Sequence, residues 1–176
     1  MGDSLITVIS IILAGVLIFV FPMMAMAERN DDVAVTTVQT AVQEFVDKVS
    51  TTGKITQVDY DTMNQKIYAT GNTFDTEMEV QIMDENPGKK NTANVQTNKV
   101  GENLYYSKYK SQIMDEIKSS SSKDVKLKEG DRIAVSVVNT NQTISQMFKN
   151  FFYSISGNNT YKISTQASAV VMCDGK

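Results

Sequence analysis

Histidine is absent from the 176 residues, which removes the commonest general base at neutral pH and the commonest metal ligand together. Cysteine occurs once, as Cys173, so no internal disulfide can form and the compartment cannot be read from cysteine pairing. There is no glycine-rich phosphate loop, dinucleotide fingerprint, HExxH zinc motif, paired-cysteine motif or serine nucleophile elbow. The chain therefore nominates no catalytic residue, no metal and no cofactor, and no small-molecule substrate is expected. A basic excess is missing as well: 17 Lys and Arg stand against 20 Asp and Glu, a net charge of −3. Nothing in that balance suits a nucleic-acid partner or attraction to an anionic surface.

The most informative absence is local. From Leu5 to Ala27 the chain reads LITVISIILAGVLIFVFPMMAMA, without one charged side chain. As a helix rising 1.5 Å per residue this run spans roughly 34 Å, enough to cross the ~30 Å hydrocarbon core of a bilayer. Two readings compete. A cleaved signal peptide is favoured by Pro22, which interrupts the apolar run, and by Ala25-Met26-Ala27, a small-x-small pattern that would place cleavage after Ala27. A retained single-pass anchor is favoured by the lack of any Lys or Arg in Met1-Gly2-Asp3-Ser4 and by an apolar run longer than a signal peptide needs. We take residues 1–27 as a transmembrane anchor and residues 28–176 as one extracytoplasmic α+β domain, with secretion as the alternative. Flanking charge does not orient the anchor, because Arg29 sits among Glu28, Asp31 and Asp32. The outside placement follows from an export-like segment leading a Ser-, Thr- and Asn-rich domain.

Beyond the anchor, Val35, Val38, Val42, Phe45 and Val49 recur at helical spacing, with Val46 beside them. Because no Gly or Pro occurs between Met23 and Thr52, this amphipathic stretch should continue the anchor helix. The stripe is either core packing or a seam against another subunit. Gly53 ends the helix, a second helix is expected from Thr56 to Ala69, and Phe74–Ile82 alternates as a half-buried strand. The acids of that strand, Asp75, Glu77 and Glu79, lie about 7 Å apart, too far for neighbours to share a cation, and read as a solvated row. Asn86-Pro87-Gly88 is a turn and Asn91–Asn98 a polar loop. A third helix is expected from about Gly101 to Lys118, carrying Leu104, Tyr105, Tyr109, Ile113 and Ile117. Val125 and Leu127, then Ile133, Val135 and Val137, read as a hairpin across Gly130. Thr143 caps a fourth helix, with Ile144, Met147, Phe148, Phe151, Phe152 and Ile155 on its apolar face, expected to pack across the sheet rather than lie on the membrane. Gly157-Asn158-Asn159 breaks it, and a last strand sets Tyr161, Ile163, Thr165, Ala167, Ala169 and Val171 on one face.

The expected fold is α+β: a long N-terminal transmembrane and amphipathic helix packed on a small antiparallel sheet of about four strands, with three further helices. With Gly15 and Pro22 inside the apolar run, this layout resembles the type IV pilins and pseudopilins, in which apolar half-helices bundle in a filament core and globular parts lie outside. Gly2 has no basic residue before it, and Leu5 and Ile6 stand where that family has an acid near the start of the run. The resemblance therefore implies a divergent component, of a tight-adherence pilus or related secretion machine, with Pro22 as a hinge. It also implies a homo- or hetero-oligomeric partner set in the bacterial envelope and no enzymatic role. The alternative is a secreted or anchored module binding a cell-wall or surface ligand, through residues 84–99 or the tyrosines.

Overall fold

The computed structural model describes residues 2–84, 105–156 and 164–175. The turn at Asn86-Pro87-Gly88, the loop Asn91–Asn98, Leu104, the break at Gly157-Asn158-Asn159, and Tyr161 and Ile163 lie outside them. The first element, α1 (Gly2–Thr52), is one helix of 51 residues with Pro22 inside it. It ends where Gly53 adopts a positive φ of 65° and donates its N–H to the Val49 carbonyl at 2.9 Å, a conformation that costs glycine no Cβ clash.

A strand of three residues, β1 (Lys54–Thr56), follows, and Thr56 then caps α2 (Gln57–Tyr68) by accepting the Asp59 N–H at 3.1 Å. The next elements are β2 (Phe74–Met83), β3 (Tyr105–Tyr109), α3 (Lys110–Ser119), β4 (Asp124–Lys126), β5 (Arg132–Asn139), α4 (Ile144–Ser156) and β6 (Ser164–Val170). Four strands form an antiparallel sheet in the order β3-β2-β5-β6, and β1 pairs with β4 in a separate ribbon. The α+β class, the long first helix, the antiparallel sheet of four strands and three further helices are as expected; the β1–β4 ribbon is an addition to them.

Register explains how α1 fits. Cross-strand rows on the inner face run Met78–Val135–Ala167 and Val80–Ile133–Ala169. Each row ends in alanine on β6, which lets α1 pack closely there and over β5. The helix answers with Val38, Ala41, Val42, Phe45, Val46 and Val49, all buried in the core. Phe45 meets Tyr60 of α2 edge to face at 6.4 Å between centroids.

Two expectations are corrected. The third helix begins at Lys110, because Tyr105–Tyr109 forms β3, in register with β2 from Met83↔Tyr105 to Glu79↔Tyr109. Aromatic residues beside an unpaired strand edge gain more from the ladder than from a helix turn, while Ile113 and Ile117 are buried in α3. Nor do 125–127 and 133–137 form a hairpin. Both edges of β5 are taken by β2 and β6, whereas Leu127 donates to the Gly53 carbonyl at 2.8 Å and accepts from the Gly175 N–H at 2.9 Å. The intervening turn is held by Asp131, whose buried carboxylate accepts the Lys128 and Met83 N–H groups, each at 2.8 Å.

Gly53 and Gly71 both have positive φ, but only at Gly53 would a Cβ collide with a neighbour, lying 2.4 Å from the Cys173 carbonyl oxygen. Gly71→Ala is expected to cost about 1 kcal/mol for its left-handed backbone alone, and Gly53→Ala at least twice that, with displacement of 173–175. Denaturant unfolding of the detergent-solubilised chain checks this; equal costs would show that the close approach at Gly53 is not tight.

Candidate functional site at the anchor junction

α1 changes character along its length. In its N-terminal half most large apolar residues from Leu5 to Met26 are exposed, with Val20 and Met24 half-buried. By length and composition this helix can cross a membrane. Gly15 has open space around it, and Pro22 removes one backbone donor, leaving the Ile18 carbonyl without its usual helical partner, though the helix continues through it. Ala25-Met26-Ala27 sits within the same unbroken helix. Of the stripe residues, Val38, Val42, Phe45 and Val49 are buried inside the domain and Val35 packs at the edge of its core. Their side chains are therefore spent on the chain's own sheet.

The change from exposed to buried occurs at Asp31, which is 5 % exposed although it carries a carboxylate. The Thr143 hydroxyl donates to Asp31 Oδ2 at 2.8 Å. Thr143 also caps α4: its Oγ1 accepts the Gln146 N–H at 3.1 Å, and Gln146 Oε1 accepts the Thr143 N–H at 3.1 Å, a reciprocal pair that satisfies two helix-end donors. A turn further along, Lys149 Nζ lies 3.6 Å from Glu28 Oε1. These links hold α4 against α1, so the expected packing of this helix across the sheet is corrected. Thr143 must follow β5 on a short connection, and β5 ends beside α1.

An open cleft of about 550 Å³ lies at this junction, between α1, the end of α2 and the start of α4. Asp31 is the one ionisable residue among its lining side chains, and it is already engaged by Thr143. The cleft thus offers no acid–base pair. Among the described residues no group of three or more His, Cys, Asp or Glu side chains could hold a metal ion. Cys173, half-exposed, donates its Sγ–H to the Thr51 carbonyl at 2.7 Å.

The acidic row of β2 also resolves. Asp75 and Glu77 are exposed, while Glu79 accepts the Ser107 hydroxyl at 2.6 Å. That bond, then the one from the Gln81 amide, holds the Glu79 carboxyl below the ordinary glutamate value. The tyrosines stand on an edge strand rather than a helix: Tyr105 lies under the Arg132 guanidinium, 4.5 Å from its ring centroid, and Tyr106 and Tyr109 are exposed. Sequence reasoning missed Asp31 and Thr143 as partners. Thr143 reads in the sequence as a helix cap and Asp31 as one of the charges flanking the apolar run, and only the fold joins positions 112 apart.

Comparison with protein-family models, with curated proteins and with solved structures found no match. The arrangement itself, a long N-terminal apolar helix packed on a small antiparallel sheet, resembles the pilin fold in general.

Thr143→Val removes both the cap and the bond to Asp31 while keeping the side chain's shape. It is expected to destabilise the domain by about 1–3 kcal/mol and to speed amide exchange in α4 ahead of the sheet. Hydrogen exchange by mass spectrometry checks the order; unchanged protection in α4 would mean that the cap does not hold it.

Proposed function

We propose that this protein is a non-enzymatic, membrane-anchored structural component of a pilus-like or related secretion assembly, of divergent pilin or pseudopilin type, with its α+β domain on the outer side of the cell membrane. One observation carries the reading: a single helix is anchor in one half and core element in the other. A cleavable signal would gain nothing from being continuous with the domain's central helix. An assembly component gains a rod that transmits the position of the membrane, or of a bundle of like helices, directly to the folded domain.

Further support comes from the exposed half. Its apolar side chains need lipid or neighbouring helices around them, and Gly15 leaves space for a close helix neighbour. Pro22, with one backbone bond missing, lets the helix loosen locally if packing demands it. The stripe from Val38 to Val49, being buried within the domain, leaves subunit contacts to the anchor half and to the outer faces of the domain.

With Cys173 replaced by Ser, Leu13→Cys in membranes is expected to give disulfide-linked dimers under mild oxidation, and Val58→Cys, on the exposed side of α2, is not. The intact mass of the native protein should retain residues 1–27. Failure of Leu13→Cys to cross-link, with a native start at Glu28, would overturn the proposal in favour of a secreted binding module.

A further inference from the structure

The first turn of α4 is inverted for a helix facing water. Its polar residues are inside, Ser145 at 0 % and Gln146 at 2 % exposure, and its apolar residues are outside, Ile144 and Met147 at 51 % each. Ser145 Oγ and Gln146 Nε2 are buried without hydrogen-bond partners. In water both halves of this arrangement are unfavourable. It becomes sensible when the medium outside is less polar than the junction inside.

Helical register separates the two sides. At 100° per residue, Ile144 and Met147 lie about 60° from each other around the helix axis. Ser145, Gln146 and Lys149 fall on the opposite side, toward α1. Lys149 is the one charged residue of α4, and it pairs with Glu28 on that inner side.

Position then says what lies outside. Thr143 contacts Asp31, and Lys149 contacts Glu28, so α4 runs along α1 toward its apolar end. From Thr143 to Lys149 the helix advances about 9 Å. Residues beyond Lys149 therefore reach the level of the uncharged run, which ends at Ala27. A bilayer crossed by that run has its headgroup layer, roughly 5–8 Å deep, at this height.

We infer that α4 is an interfacial helix whose outer face, beginning with Ile144 and Met147, lies in the headgroup and acyl boundary of the membrane that α1 crosses. The inference rests on the reading of residues 5–27 as membrane-spanning. The contact is apolar, needs no anionic lipid, and follows the amphipathic mode of interfacial helices. A second hold away from the α1 axis stops the domain turning about that axis and sets which of its faces points along the membrane.

The chain has no tryptophan, so a single introduced one reports its own surroundings. Met147→Trp, Ile144→Trp, Phe19→Trp and Val58→Trp are made in the full chain, each reconstituted in phosphatidylcholine vesicles with and without brominated acyl chains. Roughly two-fold or greater quenching is expected for Phe19→Trp, Met147→Trp and Ile144→Trp, with little change for Val58→Trp, as for a face buried 5–10 Å into the interface. Quenching of Phe19→Trp while both α4 variants behave like Val58→Trp overturns the inference and leaves the anchor standing. Blue-shifted but unquenched emission from α4 means a protein neighbour covers it, which also overturns it. No quenching at any position removes the anchor reading and this inference together.

Discussion

Packing one side of a helix beneath a sheet sets the direction of the whole helix, because an α-helix without a break is stiff over tens of ångströms. In this protein that constraint governs everything else. The contact of α1 with β5 and β6 orients not only the residues that are buried there but also the apolar half that extends beyond them. The sheet's inner rows, which narrow to Ala167 and Ala169 on β6, exist on the side where the helix must come close. The C-terminal segment closes the same joint, with Ser50 donating to the Val170 carbonyl at 2.6 Å and accepting, through its own carbonyl, the Met172 N–H at 2.9 Å. The apolar half of α1 is thus an extension of the core rather than an appendage tied on by a linker.

Asp31 stands where the exposed and buried parts of α1 meet, and its chemistry follows. An unpaired carboxylate at that depth would be costly, so Thr143 satisfies it, and the same hydroxyl starts α4. One residue therefore joins the end of the exposed rod, the cap of the last helix and the path out of β5. The first turn of α4 then buries Ser145 and Gln146 while Ile144, at the rim of the cleft, and Met147 stay exposed, which is the observation on which the interfacial reading stands.

Periodic elements were legible in the sequence, and pairings were not. The apolar run, the stripe from Val35 to Val49, α2 and β2 declare themselves through uninterrupted spacing, and Thr143 through capping chemistry. Tyr105–Tyr109 misled because aromatic spacing fits a helix nearly as well as a strand, and the ladder with β2 that decides between them comes from residues more than twenty positions away. The 125–137 stretch misled for a related reason. A turn signal at Gly130 says that the chain reverses, but only the occupancy of both β5 edges says that the two arms do not pair. Asp31 was legible as a charge flanking the apolar run, and its partner was hidden by distance along the chain. Burial of Ser145 and Gln146 on the side opposite Ile144 could have been read from register alone, had the direction of the surrounding medium been known.

The apolar run and the domain share one helix that continues through Pro22. Spin labels at Ser10 and Thr40 test it, in a Cys173→Ser background reconstituted in lipid vesicles. Thirty residues of continuous helix separate labelled backbones by about 45 Å, and pulsed dipolar spectroscopy should return one narrow distribution near that value. A broad distribution, or a main distance shorter by 10 Å or more, would mean that the helix breaks at Pro22 and that the domain is tethered rather than carried.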